Sequence, residues 1–441
     1  MTSQHPSPND LVFTGSGLTV TQTREAITNL VDALLRTSAI EETETVALDD
    51  ALHRILALPV LSPINVPAAD NSAMDGFAFQ SSELTNAAPI QLKIVGSVFA
   101  GTPYSGTLQS GECLKIMTGA LMPPQCDTVI PQEMTRLVPS VASETALVEF
   151  APDAVRAGEN RRFCGEDLAK DSVAIAAGRL LRPSDLGLAA SLGIATLTVR
   201  RKLRVAILSS GNELRQLGDP LDPGSIYDSN RYSLMGLLKR LNVDVIDCGI
   251  VQDDPASLKA AFQKAALRAD VLISSGGVSV GEADFTKQIM QELGDVGFWK
   301  IAMRPGRPMA FGVLKPVAGQ TPPRSTLFFG LPGNPVAVMV TFYQFVRSAL
   351  LQLSGSSQLA PPTIQAISSA PIRKKPGRTE FQRGILELGP DGRAQVRVTG
   401  SQGAGILRSM SEANCFIVLE HDQGNIATGE LVNVVLFEGL L

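Results

Sequence analysis

The chain has 441 residues, of which 44% are hydrophobic and 18% charged, and a formal net charge of −5. That length exceeds one ordinary domain and suggests about three, and the apolar fraction is enough to bury real cores, which excludes wholesale disorder. The negative balance argues against a dedicated nucleic-acid binder, so any anionic ligand must be held by local Lys/Arg clusters and backbone NH groups.

The first segment, Met1–Gly17, is polar and rich in Ser, Pro and Asn. It lacks the basic start and apolar run of a signal peptide and reads as a loose tail. Thr23–Thr37 reads as a helix, with Thr23 as its cap and Ile27, Leu30, Val31, Leu34 and Leu35 on one face. Leu48–Leu58 is a second helical candidate, ended by Pro59. From residue 63 to about 167 helical periodicity is lost. Short β-rich runs (Ile90–Val95, Ala146–Phe150) and frequent turns predict a small β domain. Ser184–Leu192 returns to helix.

From Leu203 the pattern changes again. Val205–Leu208, Val243–Cys248 and Val271–Ile273 are short apolar runs of the kind found in buried parallel strands. Helical stretches lie between them, at about Asp228–Leu241 and Pro255–Arg268, which predicts right-handed βαβ units and a doubly wound sheet. The series continues with a helix at Phe285–Leu293 and strands near Phe298–Met303, Met309–Val313 and Leu327–Phe329. A helix follows from Asn334 to about Leu353. Leu327–Val346 is the most apolar stretch, but Leu331-Pro-Gly-Asn-Pro335 breaks it, so it reads as buried strand, turn and helix instead of a membrane span. Pro361 and Pro362 mark a linker to a C-terminal β module.

Five cysteines, odd in number and without C-x-x-C spacing, argue against a disulfide framework or zinc ribbon and fit a reducing cytoplasm. His5, His53 and His421 are too few for a His-rich metal site.

The most informative motif is Ser274-Ser275-Gly276-Gly277-Val278-Ser279-Val280-Gly281, between a predicted strand and a predicted helix. Glycines there let the backbone approach an anion, and ligands of open α/β sheets sit at the carboxyl ends of strands; a ligand-free tight turn is an equal reading. The segment also matches G-x-S-x-G, so a serine hydrolase using Ser279, a later acid and His421 is a remote alternative. There is no Gly-Lys pair for a Walker A loop and no G-x-G-x-x-G after a strand. Glu213, Asp253, Asp254 and Asp284 each follow a predicted strand of the one sheet and could converge on one rim. Oxygen ligands of this kind suit Mg²⁺ bridging phosphates, although any one of them is more simply a helix cap. Lys300, Arg304 and Arg307, stiffened by Pro305 and Pro308, could clamp an oxyanion.

Taken together, these segments resemble the molybdopterin molybdenumtransferase (MoeA) family, which includes the gephyrin E domain. The matching pieces are Asn71-Ser-Ala-Met-Asp-Gly-Phe-Ala78, Met117-Thr-Gly-Ala120, Gly165-Glu-Asp167, Ser209-Ser-Gly-Asn-Glu213, Asp253-Asp254-Pro255 and Ser274–Asp284. They continue with Lys300 to Pro308, Gly330-Leu-Pro-Gly-Asn-Pro335, Phe381-Gln-Arg-Gly384 and Asn414-Cys-Phe-Ile-Val418. The resemblance covers nearly the whole chain.

It implies an α/β multidomain protein: a central doubly wound α/β molybdopterin-binding domain (201–356), a discontinuous helical domain (18–62 and 168–200), a small β-rich domain (63–167) and a C-terminal β domain (357–441). It further implies a cytoplasmic homodimer that takes adenylylated molybdopterin, molybdate and Mg²⁺, releases AMP and yields the molybdenum cofactor. Molybdopterin adenylyltransferase and cofactor-accepting enzymes are the implied protein partners, with no nucleic acid and no membrane.

Carried over by residue, Ser210, Gly211, Ser275, Gly276, Gly277, Ser279, Pro332 and Asn334 would hold the nucleotide–pterin ligand. Asp253 and Asp284 would hold Mg²⁺, with Glu213 nearby. Lys300, Arg304 and Arg383 would face molybdate or phosphate, Arg307 would help bind the cofactor ligand, and Asp75, Thr118 and Asp167 would reach the cleft from the partner subunit, Thr118 as a cofactor-binding residue. The family pattern usually has Lys at 304 and 307, where this chain has Arg, and Ser at two positions that are Ala337 and Ala404 here. If those hydroxyls contact the oxyanion, each lost bond costs about 1–3 kcal/mol in a buried site. A catalytically weakened relative that binds the cofactor or acts as a scaffold is therefore the second reading.

Overall fold

The computed structural model describes residues 17–37, 42–84, 89–139, 146–276 and 284–437. The chain divides into two compact units. One holds residues up to Leu58, Ala177–Leu186 and Thr196–Leu441; the other holds Pro59–Ala176 and Gly187–Ala195.

The larger unit is built on a six-stranded sheet. Its spatial order is 244–251, 204–210, 271–275, 326–331, 308–314, 294–300. The first four strands pair in parallel, and the last two join antiparallel. Arg204–Ser210, Val271–Ser275 and Thr326–Leu331 are almost wholly buried, which is why they read as unbroken apolar runs instead of alternating ones. Helices Ser229–Arg240 and Pro255–Ala266 connect the parallel strands, each opened by an aspartate whose carboxylate accepts a backbone NH, Asp228 from Arg231 and Asp254 from Ser257. Asp254 is therefore a cap, the simpler of its two readings.

The helix after the Pro-Gly-Asn-Pro turn runs from Pro335 to Leu353 and has a π turn at Phe342–Val346. It is long and apolar enough to cross a membrane by composition, but 83% of that window is buried inside the protein. The core of the sheet explains this: Val336, Val340, Phe345 and Leu350 share one cluster with Ile207, Ile273 and Phe329.

The N-terminal helix spans Val20–Thr37, and its Ile27, Val31 and Leu34 join that same cluster. The expected cap at Thr23 is corrected. Thr19 caps the helix, its hydroxyl accepting the Gln22 NH at 3.2 Å while Gln22 Oε1 accepts the Thr19 NH at 2.9 Å, a reciprocal capping box. Thr23 is buried one turn further in. The helix expected over Leu48–Leu58 is also corrected. Only Leu48–Ala51 forms a 3₁₀ turn, after which Ile55 and Leu56 are drawn into β-bridges with Leu180 and Val199. Tertiary pairing of two buried residues outweighs the local helical spacing there.

The C-terminal strands form a second sheet in the order 303–304, 379–388, 394–398, 364–368, 431–436, 415–419. Thr379–Leu388 also pairs with Cys415–Leu419, so the sheet closes on itself. In the smaller unit a third sheet has the order 128–131, 76–79, 112–116, 90–98, 147–150, 136–138. Gly76 is required in it: a Cβ there would lie 2.0 Å from the Ile130 carbonyl oxygen.

Candidate active site

The carboxyl ends of the parallel strands carry the predicted rim. Ser210 ends its strand, and its hydroxyl donates to Asp253 Oδ1 at 3.0 Å. The Asp253 NH donates to Asn212 Oδ1 at 3.3 Å. Glu213 folds back over the same turn: a Cβ on Gly211 would lie 2.6 Å from its carboxylate. Neither Asp253 nor Glu213 has an ion-pair partner among the described residues. Mg²⁺ commonly takes one or two protein carboxylates and completes its shell with phosphate oxygens and water, so this pair fits such an ion. Asp284 opens the helix Asp284–Leu293, but its side chain lies outside the described part, as do Gly277 and Ser279. Among the described residues no group of three or more His, Cys, Asp or Glu side chains forms a complete metal cage.

Gly276 has φ +89°, a left-handed conformation that favours glycine, and a Cβ there would lie 2.3 Å from the Ser210 carbonyl oxygen. The close approach of two strand ends thus requires glycine. Next to it, the buried Ser275 hydroxyl accepts from Asn230 Nδ2 at 2.8 Å, and the same Nδ2 donates to the Gly333 carbonyl at 2.7 Å. Asn230 therefore ties the glycine turn to the Pro332–Asn334 turn. Its Oδ1 is buried without a hydrogen-bond partner among the described residues. The sequence offered one signal for Asn230, its place two residues after the helix cap Asp228, and the motif reading passed over it.

Beyond Asn334 the rim reaches the cationic corner. Asn334 precedes the long helix, and its amide makes no capping bond. The Val336 NH donates to the Ala404 carbonyl at 3.1 Å, which lays the 402–405 loop across the helix start. From that loop the Gly403 carbonyl accepts from Arg383 Nη2 at 3.1 Å, and Arg383 Nε donates to Ser409 Oγ at 3.0 Å. Gln402 Oε1 accepts the Arg383 NH at 2.8 Å. Arg383 is 1% exposed, yet its described partners are all neutral. Burial first, and the neighbouring Arg304 second, push its guanidinium down to about 10, so it stays charged at neutral pH. A buried cation without a carboxylate is costly unless an anion arrives. Gln402 and Ser409, its supports, escaped the sequence reading because they sit in a turn and a short helix of ordinary composition.

Arg304 lies beside the barrel strand, in register with Glu380, and is exposed. Gly306 packs on the long helix, where a Cβ would meet Thr341 Cγ2 at 2.6 Å and Ala337 O at 3.7 Å. Lys300 ends its strand in register with Pro308 and is exposed. Arg307 lines a cleft of about 450 Å³ together with Lys375, Arg378 and His421. His421 Nδ1 is buried without a hydrogen-bond partner among the described residues, where a hydrolase triad would place a carboxylate. The described residues thus lend the Ser279 hydrolase reading no support.

In the smaller unit, Asp75 and Thr118 meet directly. The Thr118 NH donates to Asp75 Oδ1 at 2.7 Å and its hydroxyl to the same oxygen at 2.8 Å, and these two bonds hold the carboxyl below its ordinary range. Asp167 is exposed in a separate turn, its NH bonded to the Val66 carbonyl at 3.0 Å. Asp70, missed in the sequence, supports that turn by accepting from Arg161 and from the Cys164 NH. Arg161 is thus tied up structurally. Cys113, Cys126 and Cys415 are buried, and burial pushes each thiol up to about 12, so none is an activated nucleophile.

Comparison with known proteins agrees in extent and order. The MoeA N-terminal region (domain I and II) matches residues 18–193, a probable molybdopterin binding domain matches 206–352, and the MoeA C-terminal region (domain IV) matches 365–437. The chain is 42% identical over 401 residues to the molybdopterin molybdenumtransferase of Haemophilus influenzae, covering 91% of this chain and 95% of that one. It is 36% identical over 422 residues to the corresponding Nostoc protein, covering 94% and 93%. The solved structure of the molybdopterin biosynthesis MoeA protein of Pyrococcus horikoshii OT3 aligns with a TM-score of 0.78 at 27% identity, covering 96% of this chain and all of that one (100%). A glycine turn beside unpaired carboxylates, a buried unpaired arginine and three consecutive matches from residue 18 to residue 437 lead to one assignment: the chain belongs to the MoeA family of molybdopterin molybdenumtransferases.

Proposed function

We propose that this rim binds adenylylated molybdopterin along the Ser210–Gly211 and Ser275–Gly276 turns and molybdate at the Arg304–Arg383 corner. The chain then transfers molybdenum to the dithiolene with cleavage of the phosphoanhydride and release of AMP. The observation that carries this reading is Arg383, a buried cation whose described partners are a serine hydroxyl and backbone carbonyls. Such a group binds an oxyanion at little reorganisation cost, because its donors are already fixed and dry. Lys300 and Arg307 add charge from the same loop, and Arg304 both repels Arg383 and would share the anion with it.

Asp253 and Glu213 would hold Mg²⁺, which would neutralise phosphate charge during cleavage. Asp284 is proposed with them from the resemblance. Among the described residues Asn230 Oδ1 has no partner and Asn334 makes no capping bond, and both would turn to a ligand at these adjoining turns. No protein nucleophile is needed: the bound reactants supply the attacking and leaving atoms, and the side chains orient them. The division into 18–62 with 168–200, 63–167, 201–356 and 357–441, the homodimer, and completion of the cleft by the partner's copies of Asp75, Thr118 and Asp167 belong to the same proposal.

The test is direct. Incubated with adenylylated molybdopterin and molybdate, the protein should release AMP only when Mg²⁺ is present, and molybdate should accelerate the release. Tight ligand binding without AMP release would replace this reading with the cofactor-binding one, which Ala337 and Ala404 motivate. Mixing Asp75→Ala protein with Arg383→Gln protein should restore part of the activity if the site is shared between subunits. No restoration in mixed dimers would place all these residues' work within one chain.

A further inference from the structure

A second cavity, of about 310 Å³, lies in the larger unit and shares no lining residue with the rim just described. Ligand pockets begin at about that size. Its lining includes His53, Arg182, Arg240 and Arg347 and no acidic residue. The rest of the wall is mainly apolar, with Leu180, Leu241 and Leu350 among its residues, and carries Ser354, Ser356 and Gln358 as well.

Arg347 decides the chemistry. It is 7% exposed, its Nη1 donates to the Leu359 carbonyl at 2.9 Å, and its Nε is buried with no hydrogen-bond partner among the described residues. No carboxylate pairs with it among the described residues, and burial pulls its pKa below the ordinary arginine value. A guanidinium in that state lacks a counter-ion, which a carboxylate or phosphate supplies. The π turn at Phe342–Val346 ends immediately before Arg347, a local widening often found where a helix serves a site. His53, on the lining, has φ +59°, held by its NH donating to the Leu181 carbonyl and its own carbonyl accepting from Asn242 Nδ2.

We propose that this cavity is a binding site for a small amphipathic anion. Its carboxylate or phosphate head pairs with Arg347 and its apolar body lies against Leu180, Leu241 and Leu350. The proposal does not rest on the function assigned to the rim.

Isothermal titration of the full-length protein with phenyl phosphate and with phenylacetate tests it, with benzyl alcohol as the uncharged comparator. At least one of the two anions should bind saturably, and which one does so distinguishes a phosphate from a carboxylate site. Arg347→Gln should weaken that binding about tenfold or more, Arg383→Gln should leave it unchanged, and benzyl alcohol should bind far more weakly. Absence of saturable binding by both anions, or binding lost in Arg383→Gln but kept in Arg347→Gln, would overturn the proposal. Should Arg347→Gln fail to fold, Ser356→Trp fills the cavity from a lining position and leaves Arg347 in place. Retention of anion binding in that variant would also overturn it.

Discussion

The two ends of the parallel sheet carry charge in opposite ways. At the amino ends of the strands, Asp270 is buried and fully engaged. Its carboxylate accepts from Arg201 Nη1 and Nη2 at 2.7 and 2.9 Å, from Arg204 Nη2 at 2.9 Å and from the Arg204 NH at 2.8 Å. Glu42 extends the network to Arg201 and Arg324. The Asp270 backbone also joins the neighbouring strands, through its NH to the Arg204 carbonyl and its carbonyl to the Leu327 NH. At the carboxyl ends, Asp253 accepts only from the neutral Ser210 hydroxyl, Glu213 has no ion pair, and Arg383 is buried at the adjoining corner without a carboxylate, all among the described residues. The charges at the amino ends are closed on one another. Those proposed to meet a ligand are left open among the described residues, at a cost in stability that the fold elsewhere must offset.

The strongest way to break that comparison is Arg383→Gln. Removing a fixed donor to a reacting anion should lower the rate of molybdate-stimulated AMP release by about 10²–10³-fold. Thermal stability should be unchanged or higher, since an unpaired buried charge is removed. A large drop in melting temperature would show instead that Arg383 serves the fold.

Asp270→Asn is the mirror experiment. It leaves Arg201 and Arg204 without their shared carboxylate and should cost about 3 kcal/mol of stability, read by urea unfolding, with little change in activity of the folded fraction. Burial alone would raise the Asp270 pKa, but hydrogen bonds from Arg201 and Arg204 hold it below the ordinary value of 3.8. Its stabilisation is therefore fully present above pH 3.8 and lost as pH falls through the depressed folded value. The wild-type protein should keep this contribution through mildly acidic pH, and the Asn variant should show a flatter dependence of stability on pH below it.

Asn230→Leu sits between the two extremes. It leaves the buried Ser275 hydroxyl and the Gly333 carbonyl without their shared donor, so about 1–3 kcal/mol should be lost, mostly as weaker ligand binding because both turns belong to the rim. An unchanged KM with lower global stability would assign Asn230 to the fold. The smallest effect is expected of Ser210→Ala. Loss of one hydroxyl donor to Asp253 should raise the Mg²⁺ concentration for half-maximal AMP release about fivefold, corresponding to ~1 kcal/mol. No change in Mg²⁺ dependence would remove Asp253 from the metal site.

Much of the sheet was legible in advance. A strand buried on both faces has to be apolar at every position, and Val205–Leu208, Val271–Ile273 and Leu327–Phe329 are. The segments between them show helical periodicity behind aspartate caps. Leu48–Leu58 was misread because Ile55 and Leu56 carry the same apolar spacing in either conformation, and their strand partners at Leu180 and Val199 are remote in sequence. At the site, Gly276 was readable as a glycine that a turn requires. Asn230, Gln402 and Ser409 were not, since a single amide or hydroxyl in a helix or turn has no pattern to distinguish it.

Composition, periodicity and motif order by themselves determined the family, the α/β character and the stretch of chain that bears the rim, because each rests on local spacing or on residues close in sequence. Which charges are paired was decided only by tertiary structure. Arg201, Arg204 and Arg383 are equivalent cations in the sequence. The fold brings Asp270 to the first two and surrounds the third with carbonyls and a hydroxyl, because hydrogen bonding and desolvation act over a few ångströms of space, whatever the separation along the chain.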